Sequence, residues 1–244
     1  MLVYGINPVR EALRSGRARE VRVAGRGGPR VRELLRMAER ERVPVRQVQE
    51  VELDRETAGG VHQGVAAELL DRPAPMLEDL LAPIDGRPPL IVVLDGIEDP
   101  HNVGAILRTV DAAGASGVVR QTRHAASLAG AAAKASAGAL THVRVVDVVN
   151  IARTLEELKE AGVWTVGLAG DAGTTYSDVD LTLPTALVFG AEGTGLRRLV
   201  RERCDWLVSI PMLGHVESLN VSVAAGITLF EAVRQRRVRA TGVD

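Results

Sequence analysis

Ile210-Pro211-Met212-Leu213-Gly214-His215-Val216-Glu217-Ser218-Leu219-Asn220-Val221-Ser222-Val223 sets small polar side chains between apolar ones immediately ahead of a long helical pattern. A helix start needs one capping side chain, and either Ser218 or Asn220 can supply it. The polar group left over then serves as a wall of hydrogen bonds. Two segments of the same character lie upstream: Asp99-Pro100-His101-Asn102-Val103-Gly104-Ala105-Ile106-Leu107-Arg108, and Phe189-Gly190-Ala191-Glu192-Gly193-Thr194-Gly195-Leu196. Each of the three follows an apolar run, ending at Leu94, Phe189 or Ile210.

Around these segments the chain alternates strand and helix. Leu90 to Leu94 reads as a fully apolar strand, Val103 to Ala113 as a helix stopped by Gly114, and Val118-Val119 as a strand. Ala125 to Ala137 follows as a small-residue helix, then strand Val143 to Val146, helix Ile151 to Ala161 and strand Val163 to Leu168. Strand Ala186 to Phe189, helix Leu196 to Arg201, strand Leu207 to Ile210 and a long helix Asn220 to Arg239 complete the pattern. Apolar strands separated by helices predict an α/β fold with a parallel sheet covered on both faces. Ligands of such sheets sit at the carboxyl ends of the strands, where all three segments fall.

The first 70 residues read as a smaller α/β unit: strands at 2–4, 21–24, 43–48 and 64–70, with helices at 31–42 and after Asn7, taken as a cap with Pro8 in the first turn. Between 71 and 88 the prolines Pro73, Pro75, Pro83 and Pro88 mark a semi-rigid linker around a short Met76 to Leu81 helix. The expected domains are therefore 1–70 and 89–244.

Composition narrows the function. Of 244 residues 46% are hydrophobic and 25% charged, ordinary values for a globular chain, and no apolar run approaches the ~20 residues of a membrane span. The start lacks a secretory pattern, so the expected location is the cytoplasm, with no membrane partner. One cysteine, Cys204, leaves no internal disulfide, and the five histidines lack metal-ligand spacing, so no metal site is expected. Net charge is −1, yet residues 1–46 hold twelve arginines against five glutamates. Such a basic end is either a polyanion-binding face or a set of solvated helices.

The glycines at 190, 193 and 195 allow close backbone approach to a ligand, but their spacing is not the dinucleotide fingerprint. Glu192 within them either caps a helix or orients a polar group. Asn102 can cap its helix, and Arg108, among Ile106, Leu107 and Val110, suggests an anionic partner. Ser218 lacks the GxSxG setting of a nucleophile, His215 reads as a loop residue rather than a base, and His101 and His62 read as structural or ligand-facing rather than catalytic.

Matched residue by residue, the three segments resemble the signature motifs of the SpoU (TrmH-type) family of RNA ribose 2′-O-methyltransferases. That resemblance implies a SPOUT-type domain over 89–244, an α/β sheet whose C-terminal segment forms a trefoil knot. It implies S-adenosylmethionine as cofactor, held through Gly190, Ile210 and Leu219. It also places Asn102, Arg108, Glu192, Ser218 and Asn220 in the catalytic set, and implies a homodimer. Tyr4-Gly5-Ile6-Asn7-Pro8-Val9 and Val61-His62-Gln63-Gly64-Val65 are similar to the L30e-like RNA substrate-binding domain found in members that act on 23S rRNA. The implied reaction is methylation of a guanosine 2′-hydroxyl in 23S rRNA. The alternatives are the same chemistry on tRNA or another rRNA nucleotide, or a non-catalytic RNA-binding or ribosome-assembly protein on this fold.

Overall fold

The computed structural model describes residues 2–25, 28–70, 74–123, 125–128 and 130–241. Arg26, Pro73, His124 and Ala129 of the sequence reading lie outside the described residues.

The first sheet contains β1 (Leu2–Tyr4), β2 (Ala18–Ala24), β3 (Val45–Val48) and β4 (Val65–Leu69), in the order β1-β4-β2-β3. Its central strand β4 is buried at four of its five positions, and β3 is an exposed edge strand. β4 runs antiparallel to β1 and β2, and β2 is parallel to β3. Helices α1 (Ile6–Arg14) and α2 (Pro29–Arg40) bury Val9, Leu13, Val31 and Leu34. A third helix, α3 (Glu50–Glu56), was not anticipated; its Leu53 packs with Tyr4 and Ala66. Only one buried apolar residue falls in α3, too few for a periodic signal.

Asn7 does not cap α1. The cap position belongs to Gly5, and the first free amide, Ile6 N, donates to Gln63 Oε1 at 3.1 Å, so a residue 57 positions away does the capping. Gln63 sits at φ 55°, in the left-handed region.

The second sheet has seven strands, all paired in parallel, in the order β7-β6-β5-β10-β8-β11-β9. These are β5 (Leu90–Asp95), β6 (Gly117–Gln121), β7 (Val145–Val148), β8 (Trp164–Leu168), β9 (Thr174–Thr175), β10 (Thr185–Gly190) and β11 (Trp206–Ser209). One face carries α4 (Glu78–Leu81), α7 (Ile151–Glu160) and α8 (Arg198–Arg203) over a core of Leu80, Ile91, Val93, Leu155, Val188 and Val200. α9 (Val221–Thr241) packs on β10. β11 is inserted between β8 and β9, which are consecutive in sequence.

α5 (Pro100–Ala113) buries Val103, Ile106, Leu107 and Val110, an i, i+3, i+4, i+7 stripe. By contact, two compact units emerge: residues 1–73 with 103–108 and 127–142, and residues 74–102 with 109–126 and 143–244. The expected Ala125 to Ala137 helix is reduced to α6 (Ala131–Ala135) and a 3-10 turn, Ala139–Thr141. α5 meets α6 closely at Gly104, where a Cβ would stand 2.5 Å from Ala135 Cβ and 2.7 Å from Ala132 O. Only a hydrogen fits there.

Candidate active site

The loop after β10 starts from its glycines. Gly193 and Gly195 adopt φ 79° and 66°, and Gly195 N donates to Ala191 O at 2.8 Å, folding the loop back on itself. A Cβ on Gly190 would lie 2.1 Å from the Gly195 carbonyl carbon, so the turn closes only over glycine. This fold carries Glu192 out between two hollows of about 540 and 470 Å³, with Ala191, Glu192, Thr194 and Gly195 as their common wall.

Gly190, Glu192, Ile210, Ser218, Leu219 and Asn220 all line the larger hollow, although they come from two segments of chain. Asn102 lines the smaller. Three of these side chains bond to one another. Asn102 Nδ2 donates to Glu192 Oε1 at 3.0 Å, and Asn220 Nδ2 donates to Asn102 Oδ1 at 2.9 Å and to Glu192 Oε1 at 2.7 Å. Asn102 is 6% exposed, so these bonds satisfy an amide that burial would otherwise penalise.

Asn102 does not cap its helix. Asp99 caps α5 by accepting from His101 N at 2.9 Å, with Pro100 in the first turn, which frees the Asn102 side chain. Asn220 does both tasks left open for it. Its Oδ1 accepts from Ser222 N at 2.9 Å and Ser222 Oγ at 2.5 Å at the start of α9, while its Nδ2 serves the network. Ser218 is exposed in the cavity wall and makes no hydrogen bond among the described residues.

Arg108 is exposed and forms no ion pair among the described residues. Positions i and i+6 of a helix lie about 9 Å apart along the axis and about 120° apart around it. One α5 therefore does not deliver Asn102 and Arg108 to the same point.

Asp95, overlooked in the sequence, ends β5 with a carboxylate that is 0% exposed. It accepts from Arg197 N at 2.8 Å and Arg197 Nε at 2.6 Å, and Arg197 Nη2 donates to Gln121 Oε1 at 2.6 Å. A buried carboxylate needs such partners; here they pin the end of the glycine loop to β5 and β6. The available signal was an aspartate closing an otherwise wholly apolar run.

Charge in the larger hollow is acidic on balance. Asp171, Glu192 and Glu217 line it against Arg201, which is bidentate to Asp171 at 2.8 and 3.0 Å. That pairing lowers the Asp171 carboxyl below its ordinary value. No group of His, Cys, Asp and Glu suited to a metal ion occurs among the described residues.

Comparison with known proteins fits this geometry. The model of the SpoU rRNA Methylase family matches residues 89–230, and that for RNA 2′-O ribose methyltransferase substrate binding matches residues 2–72. The chain is 47% identical over 243 residues to the 23S rRNA (guanosine-2′-O-)-methyltransferase RlmB of Pseudomonas putida, covering 97% of each chain. The crystal structure of the SpoU methyltransferase AviRb from Streptomyces viridochromogenes superposes with a TM-score of 0.81 at 31% identity, over 98% of this chain and 90% of that one. The same enzyme in complex with the cofactor AdoMet gives a TM-score of 0.80 at 31% identity, over 97% and 90%. With both domain models matched and a full-length relative near one-half identity, the chain belongs to the SpoU rRNA methylase family.

Proposed function

We propose that this protein transfers a methyl group from S-adenosylmethionine to the ribose 2′-hydroxyl of a guanosine in 23S rRNA. The observation that carries the reading is the Asn102–Glu192–Asn220 network in the wall between two hollows at the carboxyl ends of the strands.

The larger hollow suits this cofactor. Its size is within the range of small-molecule sites, roughly 300–1,000 Å³. Leu168, Ile210 and Leu219 offer an apolar wall for a base, and the folded loop at Gly190 brings main chain to the surface. Its carboxylates favour a cationic sulfonium and ammonium over a polyphosphate. Gly190, Ile210 and Leu219 are the residues assigned to hold the cofactor, which supplies a methyl already activated as a sulfonium.

The remaining work is positioning. Asn102, Glu192, Ser218 and Asn220 orient the ribose, and Arg108 binds the adjacent phosphate and stabilises negative charge developing on the 2′-oxygen. Guanidinium stays protonated, so it serves as an electrostatic partner rather than a base. Because one α5 separates Arg108 from Asn102, the complete set calls for a second copy, and the proposed enzyme is a homodimer of the cytoplasm.

RNA capture falls to the substrate-binding domain, residues 1–70. Arg14, Arg30, Arg32, Arg36 and Arg40 on α1 and α2 are exposed and unpaired among the described residues, a face suited to phosphates. By contrast Arg22 is committed to Glu20, Glu56 and Glu68. Mapping 2′-O-methyl groups on 23S rRNA from cells lacking the protein tests the reading. Loss of one guanosine methyl that purified protein restores is expected; an unchanged 23S map overturns it.

A further inference from the structure

A separate cavity of about 500 Å³ opens at the amino ends of the strands, beside Leu90 at the start of β5. A six-residue strand spans about 17 Å, so this cavity stands well away from the Asn102 network at the other end. Leu90, Leu183 and Val233 give it an apolar floor, and Arg87, Arg237 and Arg239 rim it.

Arg236 builds the floor. Its Nε donates to Leu181 O at 2.9 Å, Nη1 to Pro88 O at 2.7 Å, and Nη2 to Pro89 O at 3.1 Å and Leu183 O at 2.8 Å. Every acceptor is a carbonyl, so the cation has partners but no counter-charge. Burial, reinforced by the charge of Arg87, pushes its pKa down to about 10. The carboxylates nearby are Asp85, paired with Arg87 at 3.2 Å, and Asp180, bonded to Thr182. The C-terminal ends of α5 and α9 add about half a negative charge each. Four guanidiniums against two carboxylates and those dipoles leave about one positive charge over an apolar floor. The Arg237 guanidinium has no hydrogen-bond or ion-pair partner among the described residues, and the Arg239 guanidinium bonds only the Thr182 hydroxyl, at 2.5 Å.

We propose that this cavity is a second RNA subsite, taking a phosphodiester on Arg87, Arg237 and Arg239 with a neighbouring base laid on the apolar floor. Arginine planes and apolar side chains are the surfaces on which unpaired bases stack. The inference rests on the reading of RNA as substrate, and it extends the RNA footprint to the end of the domain opposite the methyl-transfer site.

The test uses full-length protein and in vitro transcribed 23S rRNA, with filter binding across a salt series. Arg236 is left intact because it holds the cavity together. Arg237→Ala with Arg239→Ala should weaken RNA binding roughly tenfold near 0.15 M salt and lower the log–log salt slope by about 1 to 2, with the heat of S-adenosylmethionine binding unchanged. Arg87→Gln, away from α9, should lower the slope by about 1. Unaltered RNA affinity and slope in both variants would overturn the subsite, as would a loss of dimer mass with RNA affinity intact. Wild-type protein that binds the transcript with the expected slope but transfers no methyl overturns the proposed reaction and leaves the subsite standing.

Discussion

Asn220 holds two structures at once, and two substitutions test that double role. Asn220→Ala removes the cap acceptor of Ser222 N and Oγ as well as both donor bonds, to Asn102 Oδ1 and Glu192 Oε1. Cap loss costs about 1 kcal/mol. Stripping the donor from the buried Asn102 carbonyl costs about 1–3 kcal/mol, taken at the low end because Glu192 and Asn220 are exposed beside it. A total of about 2 kcal/mol lowers Tm by about 4–8 °C for a chain of this size. Asn220→Asp keeps the oxygen that caps α9 and loses the donors, setting a carboxylate near Glu192. At the wild-type separation of 2.7 Å the repulsion is about 1.5 kcal/mol in water, partly offset by about 0.3–1 kcal/mol from the helix dipole. With the same loss of about 1 kcal/mol at the Asn102 carbonyl added, Asn220→Asp should lose about 1.5–2.2 kcal/mol, close to Asn220→Ala, and both variants should transfer methyl about 100-fold more slowly, the scale of a mispositioned site. Thermal denaturation and single-turnover transfer to 23S rRNA measure the two effects. Wild-type turnover in either variant, or unchanged melting of Asn220→Ala, would refute the double role.

Other consequences are shorter. Arg108→Lys retains charge and loses the guanidinium fork, so transfer should fall at least tenfold with S-adenosylmethionine binding unchanged; full activity sinks the phosphate-clamp role. Gly190→Ala drives a Cβ to 2.1 Å from the Gly195 backbone, and calorimetry should find cofactor binding abolished while the N-terminal unit stays folded. Burial pushes the Cys204 thiol up to about 12, so maleimide at pH 8 should label the protein only after denaturation; rapid native labelling contradicts that environment. Asp205 titrates below its ordinary value of 3.8: burial raises it, and Lys159 at 2.8 Å together with the Thr165 donors outweighs burial. A depressed carboxylate contributes stability above its unfolded pKa and loses it as pH falls through the folded one. Asp205→Asn should flatten the acid limb of stability below about pH 3.8, and an unchanged limb would show the pair to be idle.

The order of elements was legible along most of the chain because buried strands and amphipathic helices write different periods into the sequence. Leu90–Leu94 and Ala186–Phe189 are unbroken apolar runs, and the stripe of α5 follows the helical repeat. From a parallel α/β order alone the three polar segments had to fall at one end of the sheet. Elements too short or too polar for a period went unseen: two-residue β9, and α3 with one buried apolar residue. Caps were also beyond reach, since Asp99 and Asn102 are both good capping residues and only the backbone path chooses between them.

The sequence by itself determined which residues could do polar work and that they gather at the strand ends. Tertiary structure alone decided that Asn102, Glu192 and Asn220, separated by 90, 28 and 118 positions, share one network, and that Asp95 anchors the loop that presents Glu192. It also placed β11 between β8 and β9. Periodicity reports which face of an element is buried, whereas the neighbour it is buried against is set by packing among elements distant in sequence.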